Sequence, residues 1–267
     1  MEIAERHGIR PRKSLGQHFL ADVNLAEAIA REAGAAPGTR FLEIGPGLGS
    51  LTVALADAGA EVLAVEIDRR VADALGESIG SRPGVSVVVA DALRVDWPSV
   101  LDDGAWRMAS NLPYNVAVPV VMELLEQAPG VDPMLVMVQR EVGERLAAAP
   151  GTASYGAVSV RVSYHASVRL VRRVGTKVFW PEPNVESVVV RLDRREPPVR
   201  GARERVMRLV DEGFAQRRKT LASALVRLGM DRVAARAALE GAGIEASSRA
   251  EQLSIEDFGR LAEAVDG

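Results

Sequence analysis

Five short apolar segments punctuate the first half of the chain, and each runs into polar or glycine-rich residues: "TRFLEIGPGLG", "AEVLAVEID", "VSVVVADAL", "WRMASNLPY" and "PMLVMVQRE". Several are rich in Val and Ile, which suits buried strands. Between them lie stretches with the helical repeat of apolar positions, such as "LGSLTVALADAG" and "RRVADALGESIG". "DVNLAEAIAREAG" precedes the set as an amphipathic helix, with Asp22 as its N-cap and Gly34 as its stop. Strands alternating with helices at this spacing predict an α/β fold with a mostly parallel sheet covered on both faces. "SVRVSYHASVRLVRRVG" and "ESVVVRLDR" read as later strands, an antiparallel pair closing the sheet.

The texture changes after Arg195. "EPPVRG" carries two prolines and a glycine, which cannot continue a strand, so it reads as a linker. The remainder of the chain is helical in pattern, from "ARERVMRLVDEGFAQRRKTLASALVRLG" through "DRVAARAALEGAG" to "SIEDFGRLAEAV". The chain therefore divides near residue 198, into an α/β domain over 1–197 and a small all-α domain over 198–267.

Composition agrees with this division. The 267 residues are 48% hydrophobic and 26% charged, enough for one large domain and a small one. Cysteine is absent, which excludes disulfides and thiolate metal sites and suits a reducing cytoplasm. His7, His18 and His165 are far apart in sequence, and no metal site is expected. The N-terminal stretch lacks the apolar core of a signal peptide and no apolar run reaches membrane-spanning length, so a soluble, cytoplasmic protein is expected. The net charge of −3 argues against a nucleic-acid partner, but its distribution does not. Eleven basic and five acidic side chains fall between Arg194 and Arg232, and five basic with no acidic ones between Arg161 and Lys177. Charge runs alone are also what solvated faces look like.

The chemistry begins at "FLEIGPGLGSLT", which puts Glu43, Gly45, Gly47 and Gly49 on the turn between the first strand and its helix. Glycines there let a ligand touch bare backbone. The G-x-G-x-G spacing matches neither the dinucleotide fingerprint nor the phosphate loop, and by itself it fits a plain tight turn. The next two strand ends favour a ligand. Glu66 is placed to accept hydrogen bonds from ribose hydroxyls, and Asp91 to accept one from an adenine amino group. Asp68 reads as a helix N-cap. Together these ends describe an adenosine-bearing cofactor without a pyrophosphate, and S-adenosylmethionine is the candidate. The sheet then reads as a Rossmann-like class I S-adenosylmethionine-dependent methyltransferase.

The fourth strand delivers Asn111-Leu112-Pro113-Tyr114 to the same edge. The lone pair of an adenine N6 is delocalised into the ring and is a poor nucleophile. The Asn111 side-chain oxygen and the Leu112 carbonyl could accept the N6 hydrogens, draw the nitrogen toward tetrahedral geometry and free the pair for attack. Pro113 would stiffen the loop and Tyr114 would stack on the base. The plainer reading is a buried loop whose Asn caps the next helix.

The set "SLGQHFL", "EIGPGLGSLT", "VEID", "NLPYNVAVP", "KVFWPEPNVESVVV" and "FAQRRKTLASAL", in this order over nearly the whole chain, resembles the KsgA family of small-subunit ribosomal RNA adenine dimethyltransferases. The resemblance implies S-adenosylmethionine as methyl donor. It implies dimethylation at N6 of two adjacent adenines in a hairpin loop near the 3′ end of small-subunit RNA, within a pre-ribosomal particle. The enzyme is expected to be monomeric, with no DNA or membrane partner. The cofactor residues it implies are Gln17, His18 and Leu20 at the methionine end, Gly45, Gly47, Glu66, Ile67, Asp91, Ala92 and Asn111. It also implies that Phe179 stacks on the target adenine opposite Tyr114, as extruded bases are commonly held. On its own Phe179 reads as a core residue. Arg217, Arg218 and Lys219, expected on a helix, would contact RNA phosphates.

Two rival readings share these residues. One is a large-subunit RNA adenine methylase of the antibiotic-resistance type, which carries the same fold and an Asn-x-Pro-Tyr motif. The other is a non-catalytic RNA-binding assembly factor.

Overall fold

A computed structural model describes residues 2–12, 16–198, 203–216 and 218–265. Arg217, one of the three expected phosphate contacts, lies outside the described residues. The chain forms two compact units, one from Met1–Gly143 and Val168–Arg194, the other from Glu144–Ser167 and Arg195–Gly267.

The first unit opens with α1 (Glu2–Arg6), β1 (Phe19–Leu20) and α2 (Val23–Ala33). Asp22 caps α2 by accepting from the Leu25 amide, and Gly34 ends it at φ +78°, a left-handed conformation that glycine adopts without strain. Then β2 (Arg40–Ile44), α3 (Ser50–Asp57), β3 (Glu61–Glu66), α4 (Arg69–Ile79) and β4 (Val85–Val89) alternate as the apolar pattern requires. Asp68 caps α4 by accepting from the Arg70 amide. After α5 (Trp97–Val100) come β5 (Trp106–Asn111), α6 (Ala117–Gln127), β6 (Val131–Gln139) and α7 (Arg140–Leu146). Among the later elements are α8 (Ala157–His165), β7 (Ala166–Val174), β8 (Phe179–Trp180) and β9 (Ser187–Arg194).

Seven strands make one sheet in the order β4-β3-β2-β5-β6-β9-β7. Strands β2 to β6 pair in parallel, and β9 runs antiparallel to β6. The strand order reverses between β2 and β5, the switch point at whose carboxyl edge open α/β sheets bind ligands. There the β2–β5 ladder is short, pairing Phe41 with Arg107 and Leu42 with Met108. Beyond it the buried Ser110 hydroxyl accepts from the Ile44 amide at 2.9 Å, so a side chain takes the place of a backbone partner. Phe41, Leu42, Leu55, Leu75, Met108, Leu124 and Met134 are fully buried around the sheet. Each such side chain stabilises the fold by roughly 1.5–3 kcal/mol. A separate two-strand ladder pairs Phe19 with Trp180 and Leu20 with Phe179.

The second unit is helical. It contains α8, α9 (Arg203–Ala215), α10 (Leu221–Arg227), α11 (Arg232–Gly241) and α12 (Ile255–Ala264), packed through Val160, Tyr164, Val206, Leu209, Leu225, Leu239 and Phe258. Three expectations are corrected. The first half of "SVRVSYHASVRLVRRVG" is helix rather than strand. Val160 and Tyr164 are each two residues from Val162 but also four apart from each other, and packing in the helical core selects the second periodicity. As a result, residues 144–167 group with the helical unit, which a single cut near 198 does not capture. Arg218 and Lys219 lie exposed in the turn between α9 and α10, where Lys219 N–H donates to the Gln216 carbonyl, and so are not on a helix.

Candidate active site

A cleft of about 1000 Å³ opens at the switch point. Its walls come from the segment 16–20, the glycine loop, and the ends of β3, β4 and β5 with the residues that follow them. Gln17, His18, Leu20, Gly45, Gly47, Glu66, Ile67, Asp91, Ala92, Asn111, Leu112, Pro113 and Tyr114 all line it. Residues separated by nearly a hundred positions therefore meet on one edge.

The glycine loop is held by close approach. A Cβ on Gly45 would lie 3.1 Å from Pro113 Cδ, and one on Gly47 only 2.6 Å from Phe19 Cδ1. Both have positive φ, +69° and +59°. Bare backbone is thus clamped between the Asn-Leu-Pro-Tyr loop and the β1 segment. Glu66 is buried, and its Oε1 accepts from the Asp68 amide at 2.9 Å. Burial pushes its carboxyl upward, opposed by backbone hydrogen bonds at Asp68, Gly47 and Ile67. Ile67 and Leu93 expose apolar side chains at the cleft edge. Asp91 Oδ1 accepts from the Leu93 amide, while Ala92 is buried behind it. Gln17 turns its Oε1 back to the Arg12 amide. Leu20 is buried, and its carbonyl accepts from the Ser50 hydroxyl at 2.6 Å.

Across the cleft, the Leu112 amide donates to the Met137 carbonyl and fixes the direction of the loop. Tyr114 shares a 2.7 Å hydrogen bond with the hydroxyl of Ser187, the first residue of β9. Burial raises the Tyr114 phenol above its usual range, so it stays neutral. Asn111 Nδ2 donates to the His18 carbonyl at 2.9 Å. A carbonyl accepts only, so the amide nitrogen must face it. Asn111 Oδ1 is left buried without a hydrogen-bond partner among the described residues. An orphaned buried acceptor costs about 1–3 kcal/mol unless a ligand supplies a donor.

Over residues 8–266 the chain matches the family model for ribosomal RNA adenine dimethylase. The chain belongs to that family. A ribosomal RNA small subunit methyltransferase A from Thermobifida fusca is 47% identical over 98% of this chain and 92% of its own length. Its namesake from Streptomyces coelicolor is 44% identical over 98% of this chain and 93% of its own. Among solved structures, the 23S rRNA methyltransferase ErmE superposes with a TM-score of 0.71 at 30% identity, covering 93% of this chain and 100% of that one. A dimethyladenosine transferase from Plasmodium falciparum gives 0.77 at 24% identity, covering 91% and 96%, and supports the fold.

Two features of the dimethylase site differ from, or add to, the sequence reading. Phe179 does not line the cleft. It is 4% exposed and belongs to the core cluster that holds Leu20, Val178 and Met137. The aromatic neighbour of Tyr114 is instead His18, with ring centroids 5.0 Å apart. Glu43 lines the cleft, is 1% exposed, and accepts from the Thr52 hydroxyl at 2.6 Å. Burial, reinforced by the nearby Glu66, pushes its carboxyl up to about 8 despite that hydrogen bond. The sequence places Glu43 on the loop without a role. Its one signal was an acidic residue inside an otherwise apolar strand.

The residues fit the expected cofactor. The tight glycine cradle, the buried carboxyls of Glu43 and Glu66, and the apolar edge of Ile67 and Leu93 suit an adenosine whose 5′ substituent carries positive charge. When bound, S-adenosylmethionine supplies an electrophilic methyl on a sulfonium.

Proposed function

We propose that the chain transfers methyl groups from S-adenosylmethionine to N6 of two adjacent adenines in the 3′-terminal hairpin loop of small-subunit ribosomal RNA, giving dimethyladenosines during subunit maturation. The observation that carries this reading is the orphaned Asn111 Oδ1 in the cleft wall. An exocyclic amine brings the hydrogen that this acceptor lacks. Accepting it draws the nitrogen toward tetrahedral geometry and frees its lone pair, a preorganised dipole acting where charge develops. The Leu112 carbonyl takes the second hydrogen. Tyr114 offers a neutral aromatic face for the base, held in place through Ser187. The proton released after transfer goes to water, so no side-chain base is required. After the first methylation a neutral Asn111 leaves no buried charge facing the new methyl, which permits a second turnover.

Gly45 and Gly47 hold the methionine part of the cofactor against bare backbone, Glu66 takes the ribose hydroxyls, and Asp91 with Ala92 takes the adenine. The working substrate is a pre-ribosomal particle in the cytoplasm, bound by a monomer, with Arg218 and Lys219 supplying phosphate-contacting charge. Among the described residues no helix is long and apolar enough to cross a membrane. Relatives 47% and 44% identical bear a small-subunit name, against 30% for the 23S enzyme, which favours the small subunit. The acceptor at Asn111 has no purpose in a pure binding factor.

Asn111→Ala tests this reading. Methyl transfer falls by about 100-fold or more, as on loss of a transition-state hydrogen bond, while co-sedimentation with small subunits persists. Retained methylation contradicts the role of Asn111, and joint loss of methylation and particle binding contradicts their separation.

A further inference from the structure

The segment before α2 does more than cover a cofactor. Three contacts radiate from His18. Its carbonyl accepts from Asn111 Nδ2 at 2.9 Å, its ring lies against Tyr114 at 5.0 Å and 30°, and its Nδ1 meets the Pro181 carbonyl at 2.8 Å. A carbonyl only accepts, so Nδ1 carries the proton in that bond. Pro181 follows β8, whose Phe179 and Trp180 pair with Leu20 and Phe19 on the other side of His18. The residue is therefore fastened at its side chain by one loop and at its main chain by a ladder.

We infer that His18 is a positioning residue for the target adenine, acting through Asn111 and Tyr114. An amide has two nearly isosteric orientations. With the His18 carbonyl in place, only the orientation with Nδ2 toward His18 makes a hydrogen bond, and it leaves Oδ1 buried and without a partner among the described residues. With it displaced, the amide can turn and set its N–H groups against the N–H groups of the incoming amine, which blocks activation. The imidazole backs one face of Tyr114 and so leaves the opposite face for the base. The task expected of Phe179, stacking on the adenine opposite Tyr114, is a different one, and that residue is buried in the core. Anchoring to Pro181 ties both effects to the loop that follows β8.

The inference rests on the adenine-N6 reading, and the test separates the two. His18→Ala removes the Pro181 anchor and the ring against Tyr114. His18→Asn keeps an N–H donor near the Nδ1 position. Both variants are assayed on small subunits lacking the modification, at saturating S-adenosylmethionine, after melting curves show them folded. With His18→Ala, kcat falls by about 10- to 100-fold, the scale of a small misplacement of reacting groups, and His18→Asn recovers most of it. A kcat for His18→Ala within about twofold of wild type once cofactor saturates overturns the inference, since a residue that only covers the cofactor behaves that way. His18→Asn no better than His18→Ala also overturns it, because the Pro181 anchor would then carry nothing. Failure of the adenine reading shows differently, as absence of transfer by the wild-type protein.

Discussion

Thr52 donates its hydroxyl hydrogen to Glu43 at 2.6 Å, inside the wall of the cleft. The pair places a carboxyl where almost no water reaches it, and burial outweighs the hydrogen bond, raising the carboxyl from 4.5 to about 8. The folded protein therefore holds a proton that the unfolded chain gives up. This contribution to stability is fully present below about pH 4.5 and declines as pH rises toward about 8. Glu43→Gln removes the decline. Calorimetric melting of the cofactor-free proteins across that range should show a flatter pH profile for the variant, and parallel profiles would refute the assignment.

The same carboxyl gives cofactor binding a pH signature. A positive charge entering the cleft favours the ionised form of Glu43, so binding S-adenosylmethionine expels a proton below about pH 8. Titration calorimetry in buffers of different ionisation enthalpy measures this release directly. Glu43→Gln should reduce it, and an unchanged release would assign the proton to another group.

Gly47→Ala meets two obstacles at once. Its φ of +59° is strained for alanine, and its Cβ would sit 2.6 Å from Phe19 Cδ1. The strain alone costs about 1–3 kcal/mol, and relief by moving Phe19 disturbs the segment lining the cleft. Denaturant unfolding should register the loss, and affinity for S-adenosylhomocysteine should drop with it. Intact affinity in a destabilised variant would show that the cradle tolerates a side chain.

Asn111→Asp keeps the shape of the acceptor but removes the donor to His18. A carboxylate oxygen then faces the His18 carbonyl, and one of them must lose its position. Total methylation should fall, with the residual product enriched in monomethyladenosine. Nucleoside chromatography of digested RNA reads both. A wild-type product ratio at full rate would contradict the role given to the neutral amide.

Arg194 tests the scaffold rather than the chemistry. Its guanidinium donates to the carbonyls of Leu124, Leu125, Ala128 and Val131, closing the C-terminal end of α6. Burial lowers its pKa, countered by Asp132. Arg194→Met leaves those carbonyls without this donor and should destabilise the fold by about 2–4 kcal/mol, seen in urea unfolding. Stability equal to wild type would mean that water replaces the arginine fully.

The strand ends of the site were legible because each is a local event. An apolar run stops at a glycine or an acid, and the acids at 66 and 91 emerge directly from that pattern, whereas Glu43 lies inside its strand and carries no role in it. The caps at Asp22 and Asp68 were legible for the same reason, since each serves an amide two or three residues away. What the sequence leaves open depends on distant partners. His18 takes its meaning from Asn111 and Pro181, 93 and 163 residues along the chain. Phe179 pairs with Leu20, 159 residues away, and is buried in the core. Residues 157–165 satisfy strand and helix periodicities alike, and the helical core decides between them.

Tritiated methyl transfer identifies the acceptor. Small subunits from a strain lacking the dimethylation, large subunits, and naked RNA are incubated with the protein and labelled S-adenosylmethionine, and the RNA is digested to nucleosides. Dimethyladenosine is expected from the small subunit and no label in the large one. Label in the large subunit alone, or none in either despite binding of the particle, would contradict that expectation.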